Sequence, residues 1–415
     1  MTQGTPFLNR YVVPPLTALS ENTYLSAIRA GMVSIVPLTI IGGVFLIIAY
    51  LPVAGWESFV TPYLPLLKIP VAATFGLLSI FACFSIAYDL GKQLGQEAFV
   101  SATIATIIFL MIHIRLEDAM LAMDHLDSKG LFTAIIIALV CVRVQKLFTD
   151  YNAVIKLPKN VPPVVYESFL SLTPLLFLVI VFWWLRFVVG FDIDAAVQGA
   201  FKPLVFALNT LPGILLYALV VTMLWSVGIN GDNAMDAIVA PIVLQYLAAN
   251  VEAMQQGQPL PYITASGFFS TFVNVGGTGA TLGLALVLCN SKDAGYRKVS
   301  RMSLPTQIFQ INEPIFFGIP IVLNPVFMIP YVLSALALTF CSYALMYFDL
   351  IQRPYINIPW STPPIIGHYL ITGGDWRAAA WGAISIIISI CIYYPFAKIA
   401  ERTRLKSEAA GVGNE

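Results

Sequence analysis

Met32-Val-Ser-Ile-Val-Pro-Leu-Thr-Ile-Ile-Gly-Gly-Val-Phe-Leu-Ile-Ile-Ala-Tyr-Leu51 carries no charged residue. A helix that crosses the roughly 30 Å hydrocarbon core of a bilayer needs about 20 mostly apolar residues, and this run supplies them. It is one of a series: Val71–Tyr88, Ala98–Ile114, Leu131–Val142, Leu170–Leu185, Gly213–Ile229, Phe327–Tyr347 and Trp381–Ala397 are also almost free of charge. Lipid offers no partner to backbone N–H and C=O groups, so a chain built of such runs spans as closed helices. Over all 415 residues, 58% are hydrophobic and only 11% charged, against about 25% charged in soluble domains. The expected fold class is therefore an all-α polytopic membrane protein.

The same composition excludes other classes. Net charge is zero, so a nucleic-acid partner has no electrostatic support. The five cysteines (Cys83, Cys141, Cys289, Cys341, Cys391) form no CxxC pair, and an odd, scattered set reads as apolar packing rather than a disulfide framework. No spacing suggests zinc, and no Ser-His-Asp or Cys-His set can be placed. No cleavable signal peptide is expected, because the first apolar run starts late and is too long. The stretch before it reads as an interfacial segment.

Charge sets orientation, since cytoplasmic loops hold an excess of Lys and Arg. Arg143, Lys146, Lys156 and Lys159 follow one run, Lys292, Arg297, Lys298 and Arg301 follow another, and Lys398, Arg402, Arg404 and Lys406 lie in the tail. These regions are expected inside, with both termini. The acid-rich Arg115–Lys129 loop and the loop with Asp192 and Asp194 are expected outside, which makes the number of spans even. His113 and His125, at the first of these loops, look incidental.

The two halves differ. Up to about residue 190 the runs are clean. Beyond residue 228 they are broken by Gly228, Gly231, Gly276, Gly277, Gly279, Pro305, Pro314, Pro320, Pro359 and Pro363, among others. Irregular backbone at membrane depth is tolerated where protein buries it or a wet cavity receives it, and broken helices are where transporters hold substrate. A helical scaffold (1–190), a transport half with re-entrant hairpins (191–400) and a short tail (401–415) are expected.

Four polar clusters lie in the broken half. In Trp225-Ser-Val-Gly-Ile-Asn230-Gly231-Asp232-Asn233, Asn230 can exchange hydrogen bonds with a sugar hydroxyl and Trp225 can offer an aromatic face; the plain alternative is a glycine-rich turn. In Asn274-Val-Gly-Gly277-Thr278-Gly-Ala-Thr281 the glycines let amides approach a ligand or a neighbouring helix. No Gly-Lys-Ser/Thr completes a phosphate loop. In Gln310-Ile-Asn312-Glu313-Pro314, Glu313 is an acid at membrane depth, a functional-site hypothesis by default; its alternative role is to support a helix start. Trp360-Ser-Thr-Pro-Pro364, followed by His368, can wall a pocket or be a plain connection. His368 lacks a placed partner and reads as a packing or solvated residue.

These stretches resemble subunit IIC of the lactose/cellobiose class, including diacetylchitobiose permeases, of the bacterial phosphoenolpyruvate-dependent sugar phosphotransferase system. The match runs over almost the whole chain: Tyr24–Gly31 with Pro37 and Gly42-Gly43, Gly130–Phe132, Ile155–Pro163 with Ser168-Phe169, Gly276–Thr281, Ile311–Pro314 through Asn324-Pro325, Trp360–Pro363 and Thr372–Arg377. The resemblance implies a homodimeric elevator-type fold with about ten spans, two re-entrant hairpins and amphipathic cytoplasmic helices. It implies a sugar held by the C-terminal half and phosphorylated at its 6-hydroxyl by a phosphorylated soluble IIB subunit, with IIA and HPr upstream. The family carboxylate maps onto Glu313, beside Asn312. Where relatives carry Gly-Ile-His-Gly, this chain reads Gly228-Ile-Asn230-Gly231; where many carry Asn, it has Gln310.

The function expected is thus a multi-pass permease of the bacterial inner membrane for a β-linked disaccharide, cellobiose first. It has no cofactor and no catalytic nucleophile of its own. The candidate binding residues are Glu313, Asn312, Asn230, Gly231, Trp225, Asn274, Gly277, Thr278, Gln310 and Trp360. An ion-coupled secondary sugar transporter is the alternative.

Overall fold

The computed structural model describes residues 22–50, 55–117, 120–155 and 163–412. The expected interfacial segment, most of the Ile155–Pro163 motif and the end of the tail lie outside them. Among the described residues the regular structure is helical, apart from an isolated bridge between Ile114 and Leu121.

The helices are α1 (Thr23–Ala49), α2 (Leu64–Phe75), α3 (Leu78–Gln93), α4 (Ala98–Ile112), α5 (Leu131–Asp150) and α6 (Pro163–Trp183), which runs on as a π-turn to Val188. After them come α7 (Ile193–Leu208), α8 (Leu211–Ser226) and α9 (Gly231–Gln255). The last group is α10 (Leu282–Leu288), α11 (Ala294–Ile308), α12 (Glu313–Gly318), α13 (Pro325–Tyr347), α14 (Pro364–Ile371) and α15 (Trp376–Val412).

Helices start where a side chain can accept from the orphaned first-turn amides. Asn22 accepts from Tyr24 and Leu25 at the head of α1, Asp192 from Ala195 at α7, Thr210 from Gly213 at α8 and Asp293 from Tyr296 at α11. Asn324 does so for α13, with Pro325 at the first helical position, where its missing N–H costs nothing.

Among the described residues, seven helices are long and apolar enough to cross a membrane, or eight if α7 and α8, bent by 84° at a short break, count as one span. The 15-residue α4 is shorter than the charge-free run Ala98–Ile114. The chain also contains a span that its polar residues hid: α9, which begins at Gly231-Asp232 and holds Gln245 and Asn250, is 61% buried inside the protein. Asn250, deep within it, is fully buried and is bonded to the Tyr262 and Pro354 carbonyls. Three helices, α10, α12 and α14, have 7, 6 and 8 residues, too short to cross. They sit among irregular backbone in the glycine- and proline-broken half.

Packing follows small residues. On α1, a Cβ added at Gly31 would lie 2.3 Å from Ile86 of α3, and one at Gly42 2.5 Å from Thr74 of α2. The helix can therefore seat directly on both neighbours. Helices α1 to α6 pack chiefly on one another, and α8, α10, α13, α14 and α15 form a second group. Helix α9 lies against both α1 and α8, so it joins the two groups.

Candidate functional site

The glycine loop Gly276–Thr281 meets the Gln310–Glu313 segment in the second group of helices. Its backbone is left-handed at Gly276 (φ 80°), Gly277 (101°), Gly279 (78°) and Ala280 (56°). Such a chain cannot pair with itself as a helix does, so its polar groups need outside partners. Gln310 Oε1 accepts from the Gly276 N–H at 2.6 Å and the Gly277 N–H at 3.3 Å. Asn312 Nδ2 donates to the Thr278 carbonyl at 2.8 Å. Tyr393 donates to the Gly279 carbonyl at 2.7 Å and Ser389 to the Ala280 carbonyl at 2.5 Å. Glycine is required sterically too: a Cβ at Gly277 would stand 2.5 Å from Asn312 Cγ, and one at Gly279 2.3 Å from the Tyr331 ring.

Asp232, in the first turn of α9, closes the cluster. Its Oδ2 accepts from Trp225 Nε1 at 2.8 Å and from Thr278 Oγ1 at 2.5 Å, and Asn274 also bonds to this carboxylate. The helix N-terminus favours a negative charge there. Sequence reasoning quoted Asp232 without assigning it a role. The signal was present, an acid following a Gly-x-Asn-Gly helix break, but Thr278, one of its partners, lies 46 residues away.

The structure brings Trp225, Asn274, Gly277, Thr278, Gln310 and Asn312 together. It also narrows what several can do. Trp225 is 6% exposed and stands edge-on to Phe316, with centroids 5.0 Å apart, so its ring is packed inside the protein and is not a free platform. Asn230 caps α9, its Oδ1 accepting from Asn233 N at 2.9 Å. Gly231 lets α9 pass α8, since a Cβ there would be 2.2 Å from the Val221 carbonyl oxygen. Trp360, 59% exposed, shares no described contact with the cluster.

Glu313 opens α12, and its side chain is exposed. It forms no described hydrogen bond or ion pair. Asn274 Oδ1, Gln310 Nε2 and the Tyr331 hydroxyl are buried without a protein partner. A tied backbone loop, a carboxylate facing outward and convergent amide groups suit a ligand with several hydroxyls, each able to donate and accept. No group of His, Cys, Asp and Glu among the described residues is arranged to hold a metal.

Two cavities lie elsewhere. One of about 350 Å³ is lined by Lys68, Asp127, Lys129, Gln245, Glu252 and Tyr262, near the far end of α9. One of about 170 Å³ is lined by His113, Arg115, His125, Arg186 and Asp194, among others. There His113 Nε2 lies 2.8 Å from Asp194 Oδ2, and Thr133 donates to Asp194 Oδ1 at 2.5 Å. His113 is thus a structural tie between the end of α4 and α7, a role its sequence setting did not announce. His368 is buried, its Nδ1 beside the Pro364 carbonyl and its ring on Phe272, in keeping with a packing residue.

Comparison with known proteins places this geometry in context. The family model "Phosphotransferase system, EIIC" matches residues 29–335. The lichenan permease IIC component of Bacillus subtilis is 33% identical, with 98% of this chain and 96% of that protein covered. The cellobiose-specific EIIC component of Geobacillus stearothermophilus is 32% identical, over 96% and 94%. The crystal structure of the transporter ChbC, the IIC component of the N,N'-diacetylchitobiose-specific phosphotransferase system, superposes with a TM-score of 0.92 at 31% identity, covering 97% of this chain and 99% of that one.

Proposed function

Because the chain belongs to the EIIC family of the phosphotransferase system, the membrane-spanning sugar permease component, we propose that it carries a β-linked disaccharide across the bacterial inner membrane. Cellobiose is the first candidate, and diacetylchitobiose and lactose are the others. A phosphorylated IIB unit then modifies the 6-hydroxyl and traps the sugar as a charged product. The cellobiose- and lichenan-specific relatives support a β-linked glycan. The lactose-specific EIICB component of Streptococcus mutans, of which this chain covers 73%, supports a IIB partner.

The observation that carries the reading is Glu313: an exposed carboxylate with no partner among the described residues, next to Asn312, whose amide is tied to the glycine loop. Glu313 accepts from adjacent sugar hydroxyls, while Asp232, Gln310 and Asn312 keep the loop in shape. Asn230 acts on the sugar through the first turn of α9, and Trp360 is an outer contact.

In this reading residues 1–190 form the scaffold and the homodimer surface, residues 191–400 carry the sugar and move as a body, and 401–415 are a tail. The separate packing of α1 to α6 supports that division. The basic residues at 143–146, 292–301 and 398–406 support cytoplasmic termini.

The test is uptake of labelled cellobiose, diacetylchitobiose and lactose by cells with and without cognate IIA and IIB. Accumulation of sugar phosphate that depends on IIB and fails with Glu313→Gln is expected. Uptake that needs no IIB and collapses with the proton or sodium gradient overturns the reading in favour of an ion-coupled transporter.

A further inference from the structure

Two acids stand close together at the head of α9, beside the candidate site. Asp232 and Asp236 stand four residues apart on α9, which places them one above the other on the same face. Like charges so placed repel, and neither is freely solvated: both are only partly exposed. Asp232 has help from Trp225 and Thr278 and from the helix N-terminus. Asp236 lies a turn further in, where the terminal dipole has faded.

The counter-charge comes from another part of the chain. Arg29, in the second turn of α1, donates from Nη1 to the carbonyl oxygen of Asn233 at 2.8 Å. Asn233 lies between the two acids in sequence, and its own amide is held by Asn230. Asp236 follows Asn233 by three residues on the same helix, so the guanidinium sits at the turn that both acids flank. The guanidinium therefore grips the backbone of the α9 first turn while offsetting the charge that the turn presents.

We propose that Arg29 is a positioning residue for sugar binding: from the N-terminal helix it fixes the first turn of α9, and with it the Asp232–Thr278 contact that shapes the glycine loop. The proposal rests on the reading of this cluster as the sugar site. It makes the site a product of both helix groups, since without α1 the first two turns of α9 carry two acids and no cation.

The experiment uses the purified full-length chain in detergent, with binding of cellobiose, diacetylchitobiose and lactose measured calorimetrically. Arg29→Met is expected to weaken binding about five- to tenfold, the scale of a half-buried charge contact. Arg29→Lys, which keeps the charge, stays close to the parent. Adding Asp236→Asn to Arg29→Met recovers most of the loss, because the charge it left unbalanced is gone. An arginine acting only through its hydrogen bond to the Asn233 carbonyl would not be rescued by removing an acid. Unchanged binding by Arg29→Met, or no recovery in the folded double variant, overturns the proposal. If the parent protein binds none of the three sugars, the substrate reading fails instead. The charge balance is then read from thermal unfolding: Arg29→Met lowers the midpoint and the added Asp236→Asn restores it, and a double variant no more stable than Arg29→Met overturns the proposal by that route.

Discussion

Gln310 and Gly276 are joined by a 2.6 Å hydrogen bond from the glycine amide to the side-chain oxygen, across 34 positions of sequence. Gly277 has a second acceptor in the Asn274 carbonyl, but no other acceptor is described for Gly276. Gln310→Ala therefore orphans a buried amide, at a cost of about 1–3 kcal/mol. A lowered unfolding midpoint in detergent together with weakened sugar binding is expected; a loss of binding with unchanged stability would show that Gln310 touches sugar rather than the loop.

Glu313→Gln separates binding from folding in the opposite sense. The side chain is exposed and has no described partner, so its replacement leaves the unfolding midpoint within the ordinary scatter for a surface change, about 0.5 kcal/mol. Disaccharide binding falls roughly tenfold or more, since charge-assisted hydrogen bonds to a hydroxyl are about twice as strong as neutral ones. Equilibrium binding and thermal unfolding on the same preparation check both halves of this expectation.

Two glycines with positive φ make a matched pair. Gly277 has φ 101° and Asn312 in the path of any side chain, whereas Gly257 has φ 67° and open space around it. Gly257→Ala costs about 1–2 kcal/mol of backbone strain and leaves binding alone. Gly277→Ala adds a clash with the residue that holds the loop, and binding is lost. Equal effects on binding would remove the loop from the site.

Asp375 gives a pH dependence. Burial disfavours its charge, but hydrogen bonds from the Arg377 side chain and the Gln352 and Arg377 amides outweigh this and hold the carboxyl below its usual range. A lowered folded pKa stabilises the protein in full above the unfolded value, near pH 4, and the contribution is lost as pH falls through the folded value. Asp375→Asn is expected to destabilise the protein at neutral pH and to flatten the acid limb of its unfolding midpoint below about pH 5.

Much of this could be read from the chain because hydrophobic length and helix breakers are local signals. Most of the apolar runs became spans, although Ala98–Ile114 shortened to the 15-residue α4 and Gly213–Ile229 became one arm of a bent pair. What could not be read has one cause: a polar residue in a membrane protein looks like an interruption until its partner is known. Asp232 and Asn250 made α9 look like broken sequence, although Asn250 is fully buried and bonds to the Tyr262 and Pro354 carbonyls. Trp225 looked like a free aromatic because Phe316 and Asp232, which occupy its face and its N–H, are distant or unremarkable in sequence. Arg29 lay in a motif read for resemblance and orientation, with its contact on Asn233 204 positions away.

The ties from Ser389 and Tyr393 to the Ala280 and Gly279 carbonyls have a consequence beyond loop shape. Both side chains project from α15, a helix of 37 residues and so about 55 Å long. Its far part is clasped again, by Glu401 to the Lys292 amide at 2.6 Å and by Arg404 to Asp293 at 3.0 Å. Strapped at two levels, the helix works as a pointer: a shift of the loop deep in the protein is expected to reach its distal end, where a spectroscopic label near the exposed Arg402 would register it.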